Sequence, residues 1–154
     1  MNQEKIERVL ERAITDVLAN DAYLFEANVN ERSLTHKFAE HLQAAVGRDW
    51  SVDCEYNRYG DDAKKIEEVK HIVGSLVATD ETKSRTVYPD IIVHRRGAAG
   101  PNLLVIEAKK DASKGEREAD WAKLERIKQQ YGYSFAAFIN FLTGQAKIEF
   151  ELRQ

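Results

Sequence analysis

A single cysteine, Cys54, stands among the 154 residues. That excludes a disulfide framework and a cysteine-based zinc site, and makes a reducing cytoplasm the expected compartment. No apolar run approaches the roughly 20 residues of a membrane span. The opening MNQEKIERVLERA does not read as a signal peptide, so no membrane partner is expected. An excess of positive charge is missing too: 23 Lys and Arg face 26 Asp and Glu, a net charge of −3. A surface of that balance does not attract nucleic acid as a whole, so any such face must be local. Internal repeats and low-complexity tracts are absent. What remains is 43% hydrophobic and 32% charged residues. These describe an ordinary soluble globular chain, with one domain expected over residues 1–154 and length enough to bury a core.

Two helices are expected first. Ile6, Val9, Leu10, Ala13, Ile14, Val17 and Leu18 recur at helical spacing over residues 2–20. Tyr23, Leu24 and Phe25 read as a seal on the connection to the next helix. Residues 31–46 carry Leu34, Phe38 and Leu42 on one stripe, with Asn28 or Asn30 as the N-cap. At 100° per residue Glu31 falls among these apolar positions, so an acid heads the core-facing stripe. It is either a first-turn acid favoured by the helix dipole or a carboxylate directed into a site. His36 and His41 read as surface or rim residues. Residues 49–57 alternate as a half-buried strand, with Trp50, Val52, Cys54 and Tyr56 on the apolar side and Asp53 and Glu55 on the polar one. Cys54 is therefore expected as an inert core thiol, and the two acids as solvated. Residues 58–85 read as a loop or insertion, with a weak helical period at Ile66, Val69, Ile72 and Val73.

The stretch from Val87 to Lys110, VYPDIIVHRRGAAGPNLLVIEAKK, organises the chain. Ile91, Ile92 and Val93 are β-branched and suit a covered, pleated surface. Gly97, Gly100 and Pro101 mark a turn. Leu103 to Ile106 is continuously apolar, as in a strand covered on both faces. Where such a run should end, it continues into Glu107-Ala108-Lys109-Lys110. Side chains alternate along a strand, so Glu107 and Lys109 share one side, and Asp90 shares a side with Ile92 and His94. A hairpin would then gather Asp90, Glu107 and Lys109 at one end of the sheet. Adjacent carboxylates repel, and burial raises the cost of ionising them. A divalent cation relieves both problems, and all-oxygen ligands suit Mg²⁺ or Mn²⁺.

His94 reads as a packed histidine, and Lys110 as structural or as a phosphate contact. A helix is expected over 116–131, burying Trp121, Leu124, Ile127 and Tyr131 and stopping at Gly132. Its mixed charges, from Lys109 to Lys128, read as a solvated face. Tyr133 to Leu142 reads as a buried strand and 147–152 as an edge strand.

Pro89-Asp90, followed by Glu107-Ala108-Lys109 at the end of an apolar strand, resembles the PD-(D/E)xK nuclease superfamily, the restriction-endonuclease-like fold. The strings VNERSLTHKFAEHL, DWSVDCEYNR and YPDIIVHRRG look like small bacterial members of it, over about residues 28–110. The resemblance implies an α/β fold with a central mixed sheet flanked by helices and an α-β-β-β-α-β core; the order read from the residues, α-α-β-β-β-α-β-β, fits it with one extra helix in front and one extra strand behind. It implies metal-dependent phosphodiester hydrolysis of nucleic acid, DNA in the first place, with Mg²⁺ or Mn²⁺. Asp90, Glu107 and the Ala108 backbone carbonyl would hold the metal. Lys109 would orient or help activate the water, and Glu31 would supply a further metal-binding carboxylate. Two rival readings stand beside this one. In the first, an inactive nuclease fold binds DNA or a protein partner, as a homodimer or within a larger defence or repair assembly. In the second, the acids are only structural.

Overall fold

A computed structural model describes residues 1–55, 88–97 and 101–154, with the backbone of 58–59 and 62–63. Helix α1 (Gln3–Asn20) starts at Asn2, whose side chain accepts the Lys5 amide at 3.1 Å. That bond satisfies one of the orphan donors of the first turn. α1 buries Ile6, Leu10, Ala13 and Val17. α2 (Tyr23–Glu26) is a single turn in which Phe25 is buried but Tyr23 is 73% exposed. The expected seal is thus made by Phe25 without Tyr23. α3 (Glu31–Val46) is capped by Asn30, whose side chain accepts the Ser33 amide at 2.9 Å. Asn28, the other candidate, lies outside the helix with a positive φ of 51°.

Strand β1 (Ser51–Cys54) is followed by two short strands, β2 (Arg58–Tyr59) and β3 (Asp62–Ala63), paired only with each other. β4 (Ile91–His94), β5 (Asn102–Lys110), helix α4 (Lys114–Tyr131), β6 (Tyr133–Leu142) and β7 (Lys147–Arg153) complete the order. The main sheet runs β1-β4-β5-β6-β7. Its pairs are antiparallel except β5–β6, which is parallel. Parallel neighbours need a long crossover, and α4 supplies it. α4 opens with a Ser113–Glu116 capping box and stops at left-handed Gly132. The cap explains why the helix begins slightly before the expected 116.

β5 is the spine, buried from Asn102 through Ala108. Leu104, Ile106 and Ala108 pack with α1 and α3, while Val105 packs with Ile92, Phe138 and the α4 stripe of Trp121, Leu124 and Ile127. Each fully buried Leu, Ile or Phe contributes roughly 1.5–3 kcal/mol by leaving water. The chain is therefore an α/β protein, a five-stranded mixed sheet with helices on both faces. β7 takes the expected edge.

β1 is shorter than the expected 49–57. It ends at Cys54 because Glu55 takes a positive φ of 47° and leaves the extended run. Trp50 and Val52 do pack against the core. Cys54 is exposed, and the expectation of a core thiol is corrected: it closes an edge strand beside an open cavity. Tyr56, Val87, Gly100 and the proposed helical period at Ile66, Val69, Ile72 and Val73 lie outside the described residues, as does most of 58–85. Among the described residues no helix is long and apolar enough to cross a membrane.

Candidate functional site

The site forms where β4 begins and β5 ends. Ile91 pairs with Ile106. The ladder stops at that pair, and Asp90 lies just beyond it as a bend, near enough to Glu107 for its charge to act on that carboxyl. The Asp90 carbonyl accepts the Glu55 amide at 3.0 Å, on the β1 side. Pro89, just before Asp90, has no N–H with which to extend the ladder. The Ala108 amide in turn goes to Oδ2 of Asp90 at 2.8 Å. The Asp90 side chain thus takes the amide at the end of the ladder and brings a carboxylate there.

Glu107 is 1% exposed and faces α4. The Lys123 ammonium lies 2.7 Å from its Oε1. That is hydrogen-bond distance, so the Glu107 carboxylate has a charged partner that opposes the cost of its burial. Lys123 also donates to the Tyr88 carbonyl at 3.0 Å. Burial pushes the Glu107 carboxyl up to about 8; the Asp90 charge adds to this and Lys123 opposes it.

Lys109 shares the Glu107 side of β5, and its Nζ lies 3.7 Å from Oε1 of Glu31. The other Glu31 oxygen accepts the Lys110 amide at 2.9 Å, and Lys110 Nζ donates to the Val29 carbonyl at 3.0 Å. These bonds tie the start of α3 to the end of β5, which gives Lys110 a structural task. Burial works against the Lys109 ammonium, but Glu31, Asp120, Asp90 and Glu107 outweigh it and hold its pKa above the ordinary lysine value. Lys109 is a charge donor in this state rather than a base.

Two site residues were not anticipated. Asp120 on α4 has a buried Oδ2 without a donor. Burial raises its pKa, the Lys109 and Lys123 charges oppose that rise, and Asp90 and Glu31 add to it. An acid in register with a buried helical stripe is the signal that marks Glu31. Asp120 carries it as well, at i, i+4 and i+7 with Leu124 and Ile127. The solvated-face reading fails for Lys123, whose partner Glu107 becomes visible only when α4 packs on the sheet.

Other candidates lie elsewhere. His94 is buried at the far end of β4, with Nε2 2.8 Å from Asp53. Arg96 also binds Asp53 and is the main reason its carboxyl sits below the usual range; His94 adds to that against the cost of burial. Asp53 is thus paired rather than solvated. His36 is exposed beside Glu40. His41 is half-buried at the rim and 2.7 Å from Asp21, so it joins α3 to the end of α1. A cavity of about 690 Å³ opens beside Glu31 and Asp90 and is lined on its outer side by Arg32, His36, Lys37 and Cys54. Its size falls in the range of small-ligand sites.

Among the described residues no three His, Cys, Asp or Glu side chains form a ready-made metal cage. The donors that do meet are nevertheless suited to a hard divalent ion. Asp90, Glu107 and the Ala108 carbonyl offer only oxygen, the Glu107 carboxylate already holds a cation in Lys123, and the buried Oδ2 of Asp120 lacks a donor. The chain matches no family model, no curated protein and no solved structure.

Proposed function

We propose that this chain is a metal-dependent nuclease of PD-(D/E)xK type on a restriction-endonuclease-like fold, hydrolysing phosphodiester bonds of nucleic acid, DNA in the first place. The observation that carries the reading is the Asp90–Ala108 hydrogen bond, which brings Asp90 to the strand end where its charge acts on Glu107. Asp90, Glu107 and the Ala108 carbonyl would hold Mg²⁺ or Mn²⁺. Bound there, such an ion makes water a better nucleophile and offsets phosphate charge. Lys109 is held protonated on the same side of the sheet. It offers a compact cation and three N–H donors to a phosphate oxygen or to the attacking water. Glu31 steadies Lys109, and its Oε1 is the oxygen left for a second ion. The cavity beside Asp90, with Arg32 and Lys37 on its wall, suits a strand of the substrate backbone.

The Lys123–Glu107 ion pair favours a second reading, a nuclease fold that binds DNA or a protein partner and cleaves nothing. Cleavage assays separate the two. Duplex, single-stranded and branched DNA and a supercoiled plasmid are incubated with Mg²⁺, Mn²⁺ or chelator. Metal-dependent nicking is expected, with Asp90→Ala and Lys109→Ala losing it while remaining folded. Full activity in both variants would remove these residues from the site. Tight DNA binding with no cleavage under either metal would leave the binding-only reading.

A further inference from the structure

The Lys123 ammonium stands where a bound cation belongs. It lies 2.7 Å from Oε1 of Glu107, a carboxylate on which the Asp90 charge also acts. The contact is at ion-pair distance, so the ammonium occupies that oxygen. A second carboxylate, Asp120, sits three residues earlier on the same helix, and its Oδ2 is also buried without a donor. Side chains at i and i+3 are neighbours on a helix, and the Lys123 charge already acts on Asp120. One flexible lysine therefore serves the buried Glu107 oxygen, while a second buried oxygen, on Asp120 of the same helix, has no donor.

We propose that Lys123 is a resident placeholder and positioning residue: without metal it holds Glu107 turned into the site, and it transfers to Asp120 when a divalent ion takes Glu107. The proposal rests on reading Glu107 as a metal ligand. Its physical basis is the cost of an uncompensated buried charge. Without a cation, Glu107 and Asp90 would face each other with nothing between them. With a divalent ion present, an ammonium at contact distance would repel it. Four methylenes let Lys123 reach either oxygen by a change of rotamer. Asp120 then gains the donor it lacks, and the displaced ammonium is not left unpaired. The transfer breaks no covalent bond, and the proton stays on Nζ.

Titration calorimetry of the full chain with Mg²⁺, without nucleic acid and at about pH 9 so that carboxyls are ionised, tests this directly. The proteins are wild type, Lys123→Met, Asp120→Asn and the double variant. Lys123→Met is expected to bind Mg²⁺ roughly fivefold or more tightly, because no internal cation competes. Asp120→Asn is expected to weaken binding when Lys123 is present, and to do so much less in the Lys123→Met background. If Lys123→Met fails to fold, Lys123→Gln takes its place with the same expectation. Unchanged or weaker binding in the Lys123 variant, or an equal Asp120→Asn effect in both backgrounds, overturns the relay but not the nuclease reading, since wild type still binds the ion. Absence of any Mg²⁺ binding that Asp90→Ala abolishes overturns both.

Discussion

The carboxylate of Asp90 takes the backbone amide of Ala108 at 2.8 Å, in the place where a strand carbonyl would normally sit. One side chain therefore does two things: it ends the ladder and it presents a charge. These can be separated. Asp90→Ala leaves a partly buried amide without its acceptor and is expected to cost about 1–3 kcal/mol of stability as well as cleavage. Asp90→Asn keeps an acceptor but loses the charge. It is expected to lose less than ~1 kcal/mol while cleavage falls by two orders of magnitude or more. Chemical denaturation beside plasmid nicking measures both. Equal stability losses in the two variants would deny the amide its structural role.

Glu107 gives stability a definite pH dependence. Its folded pKa is about 8, against an ordinary value of 4.5. Between those values the folded protein keeps a proton that the unfolded chain has released, so stability falls as pH rises from 5 to 8 and then levels. The full shift corresponds to at most ~4–5 kcal/mol. Glu107→Gln is expected to remove most of this slope and to exceed wild type in stability at pH 8. Denaturant midpoints for both proteins, measured from pH 5 to 9, decide it. Parallel curves would place the shifted group elsewhere.

A divalent ion and that proton compete for the same oxygens. Near pH 7, Mg²⁺ or Mn²⁺ binding is expected to release about one proton per site, and affinity should climb toward pH 8 before levelling. Calorimetry in buffers of different ionisation enthalpy counts the proton. Affinity that is flat from pH 6 to 9 would exclude Glu107 as a ligand.

The cavity makes a separate demand. Arg32 is paired with Glu55 at 2.8 Å and Lys37 with Glu40 at 2.6 Å, all on exposed side chains. Such pairs contribute little to stability, so Arg32→Glu and Lys37→Glu should melt close to wild type. Both are expected to weaken DNA binding and to flatten its salt dependence, each by about one phosphate contact. Cys54 lines the same cavity and is the chain's one thiol. Bound DNA should therefore slow its reaction with a thiol reagent. Unchanged salt slopes together with an unprotected Cys54 would move the substrate path to another face.

Local periodicity wrote much of this molecule into its sequence. The stripes of α1, α3 and α4, the Gly132 stop and the strand alternation that sets Glu107 and Lys109 on one side each depend on residues a few positions apart. Those spacings follow from backbone geometry and need no partner. Glu31 could be marked for the same reason, and Asp120 carries the same mark. Which charge meets which is a different matter. Glu107 meets Lys123 because the β5–α4–β6 crossover lays a helix over the strand. Glu31 reaches the Lys110 amide across 79 positions of chain. Cys54 is left uncovered because β1 became an edge strand. Side-chain direction is a property of the segment, while burial and ionic partnership belong to the packing between layers, so only the folded chain could decide them.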